Sequence, residues 1–311
     1  MLEPTVHILL ATYQGEAYLA QQLESLKAQS YTHWQLHVSD DGSIDGTEKI
    51  VAEFALNVPQ TVRFCSGPSK GATHNFFHLM NTVETESPSD LYAFCDQDDV
   101  WLPDKLASAM LHHAAQTLLA DQPYLYCGRT RIVDQLLVEI GLTPVPRKPL
   151  GFGNALVQNV ASGNTMVFNS ALLKILRKIA PQDSVLHDWT AYQAVTACGG
   201  MMHFSDQPSL LYRQHGANVV GSNIGFISRI SRLRFLFRGG YKGWSLQTIR
   251  AMRQISPHFA VDNLVLLTKF EAVQCEPNVL RRLSLMSGKK IWRQTRLGQA
   301  SLAYSLLFDL I

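Results

Sequence analysis

Leu91-Tyr-Ala-Phe-Cys-Asp-Gln-Asp-Asp-Val-Trp-Leu-Pro103 reads as a buried strand that ends in acids and hands over to a helix. Leu91–Cys95 is the short apolar run of a strand covered on both faces. Asp96, Asp98 and Asp99 follow at once, and Pro103 fits the first turn of the next helix, where its missing N–H costs little. The same order repeats upstream. Val6–Ala11 is an apolar strand followed by Thr12, with Leu19, Leu23 and Leu26 at helical spacing behind it. Trp34–Ser39 is a strand followed by Asp40 and Asp41, and Asp45 with Glu48 has the spacing of a capping box. Thr61–Cys65 is a further strand and Ala72–Val83 a helix. Strands alternating with helices predict an α/β fold with a doubly wound, mostly parallel, Rossmann-like sheet. Ligands bind such sheets beyond the carboxyl ends of the strands, and the polar clusters fall there.

Downstream the pattern is less regular. Tyr124–Gly128 reads as a strand, Pro144 to Gly153 as a loop, and Ser170–Ile179 and Trp189–Cys198 as helices. From Ile224 the chain turns helical, basic and apolar, with Gly239-Gly240 as a break. The net charge of +2 hides an asymmetry: residues 1–223 carry 13 Lys/Arg against 21 Asp/Glu (net −8), and residues 224–311 carry 14 against 4 (net +10). Two units follow, an α/β domain over 1–223 and a basic helical region over 224–311. Phe226, Ile227, Ile230, Leu233, Phe235, Leu236 and Phe237 interleave with Arg229, Arg232, Arg234 and Arg238, a composition suited to an anionic membrane surface. Packing on the acidic domain and a homo-oligomer interface are the alternatives. The five cysteines form no CxxC pair and are expected as free thiols in a reducing compartment. No signal peptide precedes Val6 and no apolar run reaches the ~18 residues that span a bilayer, so a cytoplasmic chain is expected, free or on the inner face of the membrane.

Three carboxylates in four residues repel one another unless a cation neutralises them. Mg²⁺ or a similar divalent ion takes one or two protein carboxylates plus phosphate oxygens, which makes Asp96 and Asp98 candidate ligands; a solvated, helix-capping turn is the plainer reading. Asp40 or Asp41 at a strand end can accept the ring N–H of uracil or thymine, or simply build an Asp-Gly turn. Asp188 is either a helix cap or a general base for a hydroxyl. His215 is a candidate for the metal or a diphosphate, and Arg213 for phosphate charge.

Taken together and in order, these segments resemble the family 2 glycosyltransferases of GT-A fold. The likeness runs from Ile8-Leu-Leu-Ala-Thr-Tyr13 through Ser39-Asp-Asp-Gly-Ser-Ile-Asp-Gly-Thr47 and Phe94-Cys-Asp-Gln-Asp-Asp-Val-Trp101. It continues through Ser162-Gly-Asn-Thr-Met-Val-Phe168, His187-Asp-Trp189 and Tyr212-Arg-Gln-His-Gly216. The acidic and Tyr-Arg-Gln-His-Gly segments are most similar to the bacterial rhamnosyltransferase branch. The resemblance implies an inverting, metal-dependent transfer of a sugar, L-rhamnose from TDP-rhamnose ahead of UDP-sugars, to a saccharide or polyprenol-linked acceptor in surface polysaccharide synthesis, with no nucleic-acid partner. It implies that Thr12, Tyr13 and Glu16 border the nucleotide, that Asp40 reads the base beside Asp41, and that Lys70, Gly71 and Asn75 line the donor site. Asp96 and Asp98 then form the motif for Mg²⁺ or Mn²⁺, with His215 beside it, and Asp188 is the base. The Gln-x-x-Arg-Trp segment of processive synthases is missing, which implies single-sugar addition, and Asn164 stands where the family pattern has cysteine. A nucleotidyltransferase would carry a glycine-rich loop that Ala11–Glu16 lacks, and a non-catalytic nucleotide-binding scaffold need not keep both the acidic cluster and Asp188.

Overall fold

The computed structural model describes residues 3–84, 87–119, 121–215, 240–285 and 290–311. Its strands are β1 (Val6–Thr12), β2 (Trp34–Asp40), β3 (Val62–Ser66), β4 (Leu91–Asp96), β5 (Val100–Trp101), β6 (Tyr124–Val133), β7 (Glu139–Leu142), β8 (Val167–Asn169) and β9 (Met201–Arg213). Among the described residues they form one nine-stranded sheet in the order β3-β2-β1-β4-β8-β6-β9-β5, with β7 on β6. β1, β2, β3 and β4 pair in parallel, and β8 pairs antiparallel with both β4 and β6. The helices before β6 are α1 (Leu19–Lys27), α2 (Thr47–Leu56), α3 (Ala72–Thr82) and α4 (Lys105–Ala114). Those after β7 are α5 (Phe152–Ala155), α6 (Ser170–Leu176), α7 (His187–Ala197), α8 (Gly240–Gln254), α9 (Val261–Cys275), α10 (Val279–Leu285) and α11 (Arg296–Leu307).

β1 is the axis of the fold. Ile8, Leu9 and Leu10 are fully buried, with Ile8 and Leu10 in the apolar layer under α1 and α2 and Leu9 in the opposite layer under α3 and α7. A strand covered on both faces has to read as a continuous apolar run. The register then fixes the carboxyl edge: Thr12 lies opposite Asp40, Ala11 opposite Asp96, and Asp40 opposite Ser66.

Several boundaries differ from the sequence reading for local reasons. α2 is capped by Gly46, not by a box from Asp45, because the Asp45 carboxylate instead accepts from Thr47 N, Thr47 Oγ1 and Glu16 N. Pro103 stands two residues ahead of α4. Asp188 lies inside the first turn of α7 and not before it. β9 escaped the sequence reading because Ser205-Asp-Gln-Pro208 breaks its apolar alternation, and β5 because two residues carry no period.

The basic, aromatic stretch Phe226–Arg238 falls outside the described residues. The described helices beyond it share the sheet's core. Ile249, Met252, Leu267, Phe270, Leu302 and Leu306 lie in one apolar cluster with Phe77, Tyr92, Phe168 and Tyr192. The segment before α11 is stitched to the loop ahead of α5. Asn154 Nδ2 donates to the Trp292 carbonyl at 2.9 Å, and Gln294 Oε1 accepts from the amides of Arg147 and Lys148 at 3.0 and 2.8 Å. No helix among the described residues is long and apolar enough to cross a membrane.

This seam is testable at Gly153, where a Cβ would sit 1.7 Å from the Lys290 carbonyl oxygen. Gly153→Ala is expected to destabilise the chain by about 1–3 kcal/mol, the usual cost of overpacking, read as a lowered midpoint in thermal or urea unfolding. An unchanged midpoint would mean that the terminal segment is not packed on the sheet domain in solution.

Candidate active site

The site grows from the carboxyl edge of β1, β2 and β4, the arrangement that alternating strands and helices place there. At the end of β2, the Asp40 carboxylate accepts from Thr12 Oγ1 (2.8 Å), Ser43 Oγ (2.6 Å), Ser43 N (2.7 Å) and Gly42 N (3.3 Å). These four bonds use the roughly four lone-pair directions a carboxylate offers. Asp40 thus organises its own turn, and the residue expected to read a base is already engaged by its neighbours. Asp41 holds the next loop: its Oδ2 accepts from Gly71 N at 2.6 Å and its Oδ1 from Lys70 N at 3.4 Å. Gly71 has φ +88, the left-handed region that favours glycine. Buried Asn75 bridges the two strand ends, accepting from Ser39 Oγ and donating to the carbonyls of Ser39 and Thr12. Glu16 sits across the mouth, with its Oε2 accepting from Gly46 N at 3.2 Å ahead of α2. Tyr13 is exposed beside it.

The acidic loop follows β4. β5 pairs antiparallel with β9, Val100 opposite Leu211, and this carries Tyr212, Arg213 and His215 to the loop. His215 Nε2 lies 2.7 Å from Asp98 Oδ2. Arg213 is 1% exposed. Its guanidinium donates to the carbonyls of Asp98 (3.0 Å) and Gln135 (2.7 Å) and to Gln21 Oε1 (2.5 Å), and packs on the Tyr18 ring. Sequence reading offered Arg213 to a phosphate; the fold uses it to hold up the loop that carries Asp98.

Asp188 reaches the same edge from α7. Its Oδ2 accepts from Gly163 N at 3.1 Å and its Oδ1 from Trp189 N at 2.6 Å. Burial raises its pKa to about 6 against the hydrogen bonds that would lower it. Burial also raises Asp96 to about 7, with Asp98 and then Asp188 adding like-charge repulsion. Asp98 and Asp188 thus both act on the carboxylate at the end of β4. His187, next to Asp188 in sequence, is an uncharged ring, stacked on Phe76 at 3.8 Å, with burial lowering its pKa to about 3.

Two residues support the acids from below in roles that sequence reading did not give them: it passed over Lys105 and named Asp99 only as a member of the acidic cluster. Lys105 is buried in α4, its ammonium 3.5 Å from the Trp101 ring centroid and donating to the Asn164 carbonyl. Burial lowers its pKa to about 7 against the pull of Cys95, Asp99 and Asp96. Asp99 is fully buried, and its Oδ2 accepts from Asn164 Nδ2 at 2.6 Å while burial and its neighbouring acids raise its pKa well above normal. Asn164, the departure from the family pattern, therefore serves the buried acid. Gln97 also has a role that sequence reading did not give it: its side chain bonds Tyr13 in both directions.

Among the described residues, no three of His, Cys, Asp and Glu close into a ready-made metal cluster. Of the three expected ligands, Asp98 and His215 form a pair, and Asp96 feels the charge of Asp98 ahead of that of Asp188. One carboxylate and one imidazole, completed by phosphate oxygens and water, still suit Mg²⁺ or Mn²⁺, which take few protein ligands at phosphate sites. A cavity of about 530 Å³ between Phe152, Asn263 and Trp292 lies among residues outside this edge and holds none of the site's acids.

The profile described as "Glycosyl transferase family 2" matches residues 7–174, more than half of the chain. The chain is 29% identical over 245 residues to the dTDP-rhamnosyl transferase RfbG of Shigella flexneri, covering 75% of this chain and 81% of that one. Among solved structures it is similar to S. aureus TarS in complex with UDP-GlcNAc (TM-score 0.56, 14% identity, 99% of this chain and 91% of that one). It is also similar to the mannosyltransferase PcManGT of Pyrobaculum calidifontis in complex with GDP-Man and Mn²⁺ (TM-score 0.50, 16% identity, 99% and 88%).

The buried base of the acid cluster gives a stability test. Lys105→Met removes the donor to the Asn164 carbonyl and a positive charge that attracts Asp99 and Asp96, and is expected to cost about 1–3 kcal/mol, the range for a buried polar group left unsatisfied, in urea unfolding at pH 7.5. Adding Asp99→Asn should recover part of that loss. If the two changes simply add, Lys105 is not the counter-charge of the loop.

Proposed function

The chain belongs to glycosyl transferase family 2, and from that premise we propose that it moves one L-rhamnose from TDP-rhamnose to a hydroxyl of a saccharide or lipid-linked saccharide, with inversion. The observation that carries the reading is that Asp188 is bonded to Gly163, beside the Asn164 that holds Asp99 of the acidic loop, and acts on Asp96 at the end of β4. The rhamnosyl choice rests on the likeness to the Shigella dTDP-rhamnosyl transferase.

Asp188 takes the acceptor's proton as that oxygen bonds to the anomeric carbon. The bond from that carbon to the diphosphate oxygen breaks, and its electron pair leaves with the nucleoside diphosphate. A pKa of about 6 leaves the base ionised yet still basic near neutrality, and two backbone amides fix its direction. Asp98 and His215 would hold Mg²⁺ or Mn²⁺ beside Asp96; when bound, the ion supplies charge stabilisation to the departing diphosphate. Thr12, Tyr13, Glu16, Asp40 and Asp41 form the nucleotide side, and Lys70, Gly71 and Asn75 the wall next to it. Arg213 acts through the acidic loop.

Three outcomes follow. Asp188→Asn should lower turnover by about 10²- to 10⁴-fold, the range for loss of a general base, with donor affinity nearly intact by calorimetry. Ionised Asp188 costs stability, because its native pKa of about 6 exceeds the unfolded value near 3.8 and the folded state gains relative stability as pH falls between them. The variant sheds that penalty but leaves one of the two backbone amides facing an NH2 group, so the two effects offset each other and its melting point at pH 7.5 should stay close to the parent's. For a base of that pKa, kcat/KM should be level above pH 6 and fall tenfold per unit below it; a profile flat to pH 5 removes Asp188 from the base role. Asp98→Ala should abolish donor binding and metal dependence together, and equal donor binding with and without Mn²⁺ in that variant would refute the ligand assignment. TDP release from TDP-rhamnose should exceed UDP release from UDP-sugars, and the reverse order would overturn the donor.

A further inference from the structure

The β1–β4 ladder ends where Ala11 faces Asp96. One residue further on, the pairing continues through a side chain. Gln97 Oε1 accepts from Tyr13 N at 2.8 Å, and Gln97 Nε2 donates to Tyr13 O at 2.8 Å. A planar amide matched to a backbone amide in both directions fixes separation and orientation together, as paired strands do.

A second feature agrees independently. Gly15 does not occupy the left-handed region, so its backbone does not demand glycine. A Cβ there would lie 2.6 Å from Gln97 Oε1 and 3.1 Å from Gln97 Cδ, while the next atom, Leu19 Cβ, is at an ordinary 3.6 Å. Space for the Gln97 amide is what excludes a side chain at Gly15. The loop is pinned on its other flank as well, Gly15 N donating to Thr47 Oγ1 at 2.8 Å and Gln14 N to Ser43 Oγ at 2.8 Å.

We propose that Gln97 is a positioning residue: its clasp on Tyr13, for which Gly15 makes room, sets the span between the nucleotide-side loop and the Asp98 loop, and so the donor's fit to both. Gln97 itself touches no reacting atom. Its effect on turnover rests on the glycosyltransferase reading; the clasp does not.

The test compares the full chain with Gln97→Ala, Gly15→Ala and the double variant. The readouts are hydrogen exchange at the Tyr13 amide, KM for TDP-rhamnose, the Mn²⁺ concentration for half activation, kcat and the thermal midpoint. Loss of the clasp is expected to raise donor KM and the Mn²⁺ requirement by roughly tenfold. kcat and the midpoint should stay near the parent values, because the clasp orients the donor and lies at an exposed loop. The double variant should be no worse than Gln97→Ala alone, since Gly15→Ala acts only by displacing that amide. Additive losses, or an unchanged KM in Gln97→Ala, would overturn the proposal. If the parent turned over no nucleotide sugar, the functional reading would fail, and Tyr13 exchange would still decide the clasp: faster in both single variants supports it, and unchanged exchange refutes it.

Discussion

Carboxylates gathered at the edge of a sheet need a counter-charge inside the protein before anything binds outside it. Lys105 provides it. A lysine buried under an aromatic ring, beneath Asp99 and Asp96, is costly on its own, and burial drags its pKa toward 7. The acids drag it back, and each charge makes the other tolerable. Asn164 completes the arrangement, giving its side-chain amide to Asp99 and its carbonyl to Lys105. The loop above can then present Asp98 outward, because the charge of its neighbours is balanced from within the core.

The loops around that edge are held mostly by side chains bonding to backbone, not by backbone ladders. Asp40 ties Gly42 and Ser43, Asp41 ties Lys70 and Gly71, Asn75 ties Ser39 and Thr12, and Arg213 ties Asp98 and Gln135. Strand ends leave backbone groups that must find partners once the ladder stops. Short polar residues there meet that demand locally. The residues that look like ligand contacts in sequence are, for the most part, the frame that gives the contacts their shape.

The parallel half of the fold was legible because burial on both faces writes a strand as an apolar run, and a strand end as the first acid after it. Val6, Trp34 and Leu91 open strands where the reading placed them. The link between Asp188 and the acidic loop came only from the family resemblance, since no spacing rule relates Asp188 to a loop so far away in sequence. What stayed hidden had ordinary-looking residues in unusual places. Lysine is rarely buried, so Lys105 passed for a solvated helix residue. Gln97 stood between acids and passed for a spacer. Asp40 and Arg213 were legible as important but not in their direction, because whether a charged group faces a ligand or its own backbone depends on bonds that only the folded chain displays.

Asp96, Asp99 and Asp188 share one physical condition. Each is pushed by burial toward holding its proton, and all have to coexist within one edge. Such an arrangement lowers stability locally, and the two apolar layers that cover β1 on both faces absorb that cost. The frustration is not distributed evenly. Asp99 is answered from below by Asn164 and Lys105, and Asp188 is answered sideways by the amides of Gly163 and Trp189. Asp98 has an imidazole, and Asp96 is left between two like charges. A divalent ion carrying a diphosphate brings positive charge to the place where the protein supplies least of its own. On the proposed reading, that imbalance makes ion and nucleotide bind as one unit, while the raised pKa of Asp188 keeps a proton acceptor ready on the other side of the sugar.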